Sequence, residues 1–120
     1  MPDQSTAKNI VLDFGDFVLN AMLFDTAIAR RFADNLPLRA DLTQWGNELY
    51  GPVGIDLGEE APVEDIPDGG IAYTNRGGLV CVFFGQRPAW PVDYIGQVEE
   101  GQWRRLLEKG GKKHLEIRAV

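Results

Sequence analysis

The sequence of 120 residues is poor in residues that bind metals or form cross-links, since it has one cysteine and one histidine. A single cysteine excludes an internal disulfide and a zinc site with several cysteine ligands, and a single histidine leaves little for a zinc enzyme. No apolar run approaches the roughly 20 residues of a membrane-spanning helix, and the N-terminal Met1–Lys8 is polar rather than signal-like. We therefore expect a cytoplasmic protein with no membrane partner, no metal and no other cofactor.

Basic residues are also scarce, because 12 Lys and Arg stand against 18 Asp and Glu, which gives a net charge of −6. Proteins that bind nucleic acid need basic surface to neutralise phosphates, so no nucleic-acid partner is expected. Residues 48–68 contain seven of the acids and no Lys or Arg, whereas residues 104–118 contain six of the bases. The acidic spacing matches no calcium-binding loop, and we interpret this segment as a solvated acidic loop.

Apolar alternation in the first half of the chain predicts strands around one helix. The Gly15-Asp16 pair separates two alternating segments and favours a tight type II′ hairpin turn. Asp25-Thr26 offers side chains that cap a helix. The predicted elements are a hairpin of residues 10–14 and 17–23, a helix over 27–35, a half-buried strand over 38–43 and a strand that begins at Trp45.

The second half begins with an irregular stretch, residues 51–70, that is rich in glycine and proline. The elements predicted after it are strands over 71–74, 79–84 and 94–98, a short helix over 101–109 and a final strand over 114–119. Residues 79–84 are apolar throughout, so that strand should be buried on both faces. Short strands with two short helices favour a closed or nearly closed β-barrel. We expect a flexible tail over residues 1–8 and one domain over residues 9–120, and nothing in the pattern specifies an oligomeric state.

This order of elements resembles the cyclophilin fold. Three stretches carry the likeness, namely residues 9–37, residues 66–78 with the sequence IPDGGIAYTNRGG, and residues 94–120. The chain is more similar still to a small prokaryotic cyclophilin-like family of unassigned function. That family's marks are Trp45-Gly46-x-Glu48-x-Tyr50, Asp68-Gly69 to Tyr73, and Leu79-x-Cys81-x-Phe83-Phe84-Gly85-x-x-Pro88. The resemblance implies a mainly β fold, an eight-stranded closed barrel with two short helices.

The same resemblance raises the question of prolyl isomerase activity. Active cyclophilins use an Arg followed five residues later by Phe and then Gln, before a Gly-Asp turn, together with a pocket aromatic, a Trp and a His. Here residues 51–68 contain no Arg, Phe or Gln, and the alternation points His114 outward. Isomerisation needs an apolar proline pocket and a donor aimed at the prolyl nitrogen. Since the usual donor is absent, an isomerase would need another one, and Arg87 is the candidate. A divergent prolyl isomerase that uses Arg87 is the alternative function.

The leading hypothesis is a binding module for a peptide or a small molecule, with the usual isomerase residues absent. Its predicted groove combines aromatic side chains with two charged ones. The candidate binding residues are Trp45, Glu48, Tyr50, Tyr73, Phe83, Phe84, Arg87 and Trp90, while catalytic residues stay unassigned. Phe83 and Phe84 are also interpretable as barrel core, and Cys81 as a small inert hydrophobe in its strand.

A third hypothesis gives Glu48 the role of an acid or base held near Trp45 and Tyr50. A buried carboxyl group with a raised pKa inside a pocket would support this role, and a solvent-facing one would remove it.

Overall fold

The computed structural model describes residues 8–108 and 114–120. In these residues the strands are β1 Lys8–Asp13, β2 Val18–Leu23, β3 Leu38–Asp41, β4 Thr43–Trp45, β5 Glu48–Pro52, β6 Gly70–Thr74, β7 Leu79–Phe83, β8 Asp93–Val98 and β9 His114–Ala119. The helices are α1 Ala27–Asp34 and α2 Arg105–Glu108, the latter preceded by a 3₁₀ turn over Gln102–Arg104. The predicted tail lies outside the described residues except for Lys8, which begins β1, and the predicted end of the second helix lies outside them as well. No helix in the described ranges has the length and apolar character needed to cross a membrane.

The predicted hairpin and first helix are confirmed. In the hairpin, Asp13 pairs with Val18 and the Phe14 amide donates to the Phe17 carbonyl at 3.0 Å. Gly15 has a φ of 95°, the positive value that a type II′ turn requires at its first central residue. At the start of α1 the Thr26 hydroxyl accepts a hydrogen bond from the Ala29 amide at 3.3 Å, which satisfies one of the free donors there.

All nine strands form one antiparallel sheet in the order β3-β9-β1-β2-β8-β6-β7-β5-β4. The sheet curls into a nearly closed barrel in which β3 approaches β5 at Gly51. A Cβ atom at Gly51 would lie 2.2 Å from the Asp41 carbonyl oxygen, so only glycine permits this approach.

The predicted mainly β barrel with two short helices is confirmed, with nine strands rather than eight. The difference arises at Trp45, where we expected one strand to begin. Gly46 takes a positive φ of 60° and turns the chain, so that Trp45 ends β4 and pairs with Glu48 at the start of β5. The chain there forms a tight hairpin instead of one strand.

Strand β7 separates two apolar layers. Val80 and Val82 belong to the main core inside the barrel, whereas Cys81 and Phe83 belong to a second buried cluster. Since alternate side chains of a strand point to opposite faces, this second cluster lies on the outer wall of the barrel. Its other members are Ile66, Ala72 and Val92. The prediction of a strand buried on both faces is confirmed. Several residues of the outer cluster also line the cavity described below.

Candidate functional site

A cavity of about 260 Å³ lies on the outer wall of the barrel, over β5, β6 and β7. Its lining consists of Trp45, Glu48, Tyr50, Thr74, Leu79, Cys81, Pro88, Ala89, Trp90 and Val92. Strand pairing brings the floor together, because Tyr50 lies opposite Cys81 and Leu79 lies opposite Thr74. Most of the lining is therefore apolar or aromatic, with a few polar groups, which is the usual composition of a small-molecule site.

Trp90 forms one wall of this cavity and is held by two contacts. Its indole Nε1 donates to the Thr74 hydroxyl at 3.1 Å, and the Arg76 guanidinium lies 5.4 Å from the centre of its ring. Thr74 is itself buried on β6, so the hydrogen bond ties the loop that carries Trp90 to the barrel. Trp45 lies in the lining from the β4–β5 hairpin and is 51% exposed. The wall formed by Trp90 is thus preformed, while Trp45 retains solvent-facing surface.

Glu48 is the buried acid of the cavity and is only 6% exposed. Burial raises the pKa of its carboxyl group to about 7, and hydrogen bonds with the Cys81 and Gln86 side chains partly offset that increase. Among the described residues, its Oε1 atom has no hydrogen-bond partner. The alternation of β5 explains this placement, because Leu49 fills the barrel interior and so directs Glu48 and Tyr50 to the outer wall.

Cys81 lies beside Glu48 on the floor of the cavity. Burial, and then the nearby charge of Glu48, raises the pKa of its thiol well above the usual range. A thiol that keeps its proton is a poor nucleophile, so the expectation of an unreactive side chain agrees with this environment. The sequence pattern did not predict that Cys81 lines the cavity and hydrogen-bonds to Glu48.

Gln86 is a second residue that the sequence analysis missed. Its side-chain oxygen accepts a hydrogen bond from the Asn47 amide at 2.7 Å, which joins the loop after β7 to the β4–β5 turn. The same side chain contacts the Glu48 carboxyl group. Its position three residues after the end of β7 gave no periodic signal, so only the fold reveals its role.

The structure brings four of the predicted binding residues together in the cavity, namely Trp45, Glu48, Tyr50 and Trp90. Phe83 lies in the outer cluster and is absent from the lining. Phe84 and Tyr73 pack in the main core, and therefore do not line the groove we predicted for them. The Tyr73 hydroxyl donates to the Ile55 carbonyl at 2.6 Å and accepts from the Leu57 amide at 2.9 Å. Its polar end thus anchors the long loop rather than a ligand.

Arg87 lies outside the cavity, contrary to its predicted place in the groove. Its side chain is 77% exposed and forms an ion pair with Asp65 at 2.8 Å. The flanking Pro88 and Ala89 reach the lining, but the guanidinium group does not. Within the described ranges, no three His, Cys, Asp or Glu side chains are grouped closely enough to hold a metal ion.

Comparison with known proteins assigns the chain to a family. The model of the cyclophilin-like family matches residues 8–118, and the chain therefore belongs to that family. A similar solved structure is the solution structure of the hypothetical protein AF2241 from Archaeoglobus fulgidus, with a TM-score of 0.75 and 21% identity over 95% of each chain. The predicted kinship with a cyclophilin-like family of unassigned function is confirmed.

A second similar structure is that of McbB in complex with tryptophan, with a TM-score of 0.73 and 17% identity. The alignment covers 91% of the present chain and 44% of McbB. No curated protein matches the chain. At 21% and 17% identity, the two similar structures show that this chain shares their fold.

Proposed function

We propose that this protein is a binding module that takes a small molecule, or a single side chain of a peptide, in the cavity on its outer wall. The observation that carries this proposal is a preformed, largely apolar cavity, lined by Trp45, Tyr50 and Trp90 and containing one buried carboxyl group. Aromatic walls with few convergent polar groups supply both contact area and orientation for a ligand.

The size of the cavity limits its occupant. At about 260 Å³ it lies just below the roughly 300–1,000 Å³ of typical drug-sized sites. One ring with a short polar substituent fits such a volume, and so does one side chain of a bound peptide.

A direct test uses the three tryptophans of the chain as reporters. Trp45 and Trp90 line the cavity, whereas Trp103 packs beside Gly69 and is absent from the lining. Titration of ¹⁵N-labelled protein with benzyl alcohol, and separately with acetyl-Ala-Pro-Phe-amide, should shift the first two indole N–H signals and leave that of Trp103 unchanged.

A blocking variant makes this test specific. Ala89→Trp places a large side chain in the lining and should abolish the shifts, while Arg87→Ala, on the same loop but outside the cavity, should retain them. If neither probe moves the signals of Trp45 and Trp90, or if Ala89→Trp leaves the shifts intact, the proposal is wrong.

The prolyl isomerase alternative receives less support from the geometry. It requires a donor aimed at the prolyl nitrogen, and the side chain assigned to that role, Arg87, is paired with Asp65 away from the cavity. In the described part of the chain, the lining contains no Lys or Arg.

A second candidate function is an enzyme in which Glu48 acts as a general acid or base. One specific observation favours it: the pKa of Glu48 is raised to about 7, near which a group both accepts and donates protons readily at neutral pH. For any ligand that the cavity binds, mass spectrometry after incubation would distinguish the two functions. An enzyme converts the ligand, and Glu48→Gln stops the conversion without removing the ligand from the cavity.

A further inference from the structure

The carboxyl group of Glu48 is an unusual component of an otherwise apolar cavity. Its Oε1 atom is buried and has no hydrogen-bond partner among the described residues. The residue as a whole is only 6% exposed. An unpaired polar atom in such a position costs free energy that a ligand donor would recover. The cavity therefore has an unused acceptor.

The charges around Glu48 favour a donor that is positively charged. In the described residues, Glu48 is the one charged side chain of the lining, and the other titratable groups of the lining are the Cys81 thiol on β7 and the Tyr50 phenol on β5. The neighbouring bases do not belong to the lining, because Arg76 lies over the Trp90 ring that forms its wall and Arg87 pairs with Asp65. An anionic ligand would meet a carboxylate without a compensating cation, whereas an ammonium group would pair with it.

The aromatic walls favour the same class of ligand. Trp45, Tyr50 and Trp90 contribute aromatic rings to the lining, and cations are attracted to the faces of such rings, tryptophan most strongly. A ligand with an ammonium group and a compact apolar body would use both the carboxyl group and the rings.

We infer that the cavity binds a small aromatic or alicyclic amine, whose ammonium group pairs with the Glu48 carboxylate and whose ring lies against Trp45 and Trp90. This inference rests on the proposed binding function. When the free amine meets protonated Glu48, the carboxyl proton passes to the amine nitrogen; when the ammonium ion meets it, that proton is released to solvent. In both cases the complex contains one carboxylate and one ammonium group.

The test compares three probes of similar shape, namely benzylamine, benzyl alcohol and benzoate, by NMR titration at pH 6 and pH 8. Benzylamine should bind at least tenfold more tightly than benzyl alcohol at pH 8, and benzoate should bind more weakly than either. Because the pKa of Glu48 is about 7, its ionised fraction falls about tenfold from pH 8 to pH 6. The affinity for benzylamine should fall by a similar factor, while that for benzyl alcohol should not change.

The variant Glu48→Gln keeps the shape of the side chain and removes its charge. It should bind benzyl alcohol as before and lose both the preference for benzylamine and the pH dependence. Glu59→Gln, a matched change at an exposed position outside the lining, should behave as the unmodified protein.

The outcomes separate the two proposals. If benzyl alcohol binds and benzylamine binds no better, or if Glu48→Gln retains the preference, the amine inference is wrong and the binding function stands. If no probe binds, the binding function fails together with the inference.

Discussion

The buried carboxyl group should make the stability of the empty protein depend on pH in an unusual direction. The pKa of Glu48 is raised from 4.5 to about 7 in the folded chain, so that above pH 4.5 the folded state holds a proton that the unfolded state has released. Stability therefore falls as the pH rises through this window and levels off above about pH 7. Salt-bridged carboxylates such as Asp13, whose pKa is lowered by Arg118, act in the opposite sense at lower pH.

The expected loss of stability follows from the size of the Glu48 pKa shift. Each pKa unit corresponds to about 1.4 kcal/mol, so the increase from 4.5 to about 7 sets an upper limit of about 3 kcal/mol. Because solvent reaches the adjoining cavity and screens the charge, we expect about 2 kcal/mol to be lost between pH 5 and pH 8. That loss is a large fraction of the stability of a small domain.

Urea denaturation followed by tryptophan fluorescence from pH 5 to pH 8.5 measures this effect. The free energy of unfolding of Glu48→Gln, minus that of the unmodified protein, should rise by about 2 kcal/mol across the range, since the amide does not ionise. Glu59→Gln controls for the loss of a charge at an exposed site and should show a constant difference. Parallel pH profiles for Glu48→Gln and the unmodified protein would refute the reasoning.

Three further predictions concern the wall, the barrel and the isomerase alternative. Trp90→Phe removes the hydrogen bond to Thr74 and should lower the free energy of unfolding by about 1 kcal/mol in urea denaturation; no change would mean that this contact is not formed in solution. By the same assay, Gly51→Ala should destabilise the protein by about 2 kcal/mol or more, because its Cβ would meet the Asp41 carbonyl oxygen at 2.2 Å. An unaffected variant would contradict the close approach of β3 to β5 at Gly51. In a protease-coupled assay on an X-Pro peptide we expect no rate above background, and a catalysed rate that Arg87→Ala abolishes would establish the alternative function instead.

The regular part of the fold was predictable because its signals are local. The hairpin around Gly15 and the helix capped by Thr26 each follow from neighbouring residues, and both are confirmed. The turn at Gly46 was missed because the apolar pattern from Trp45 onwards also suits one strand. Sequence alternation does not record that a glycine takes a positive φ and reverses the chain.

The site was predictable only in part, because residue type does not tell which face of a sheet a side chain takes. The hypothesis that Glu48 lies near Tyr50 agrees with the structure, where a spacing of two residues puts both on the outer face of β5. Tyr73 has the same aromatic character but the opposite face, so it anchors a loop from within the barrel. The contribution of Gln86 depends on contact between two loops that are distant in sequence, which no local pattern encodes.

The two layers on either side of β7 have a consequence for how this protein could diversify. The barrel interior holds the strands together, while much of the cavity wall comes from the loop that carries Pro88, Ala89 and Trp90. Substitutions in that loop would reshape the cavity without disturbing the interior packing. Variants of this chain with a different loop would thus have cavities of different outline, with Glu48 unchanged on β5.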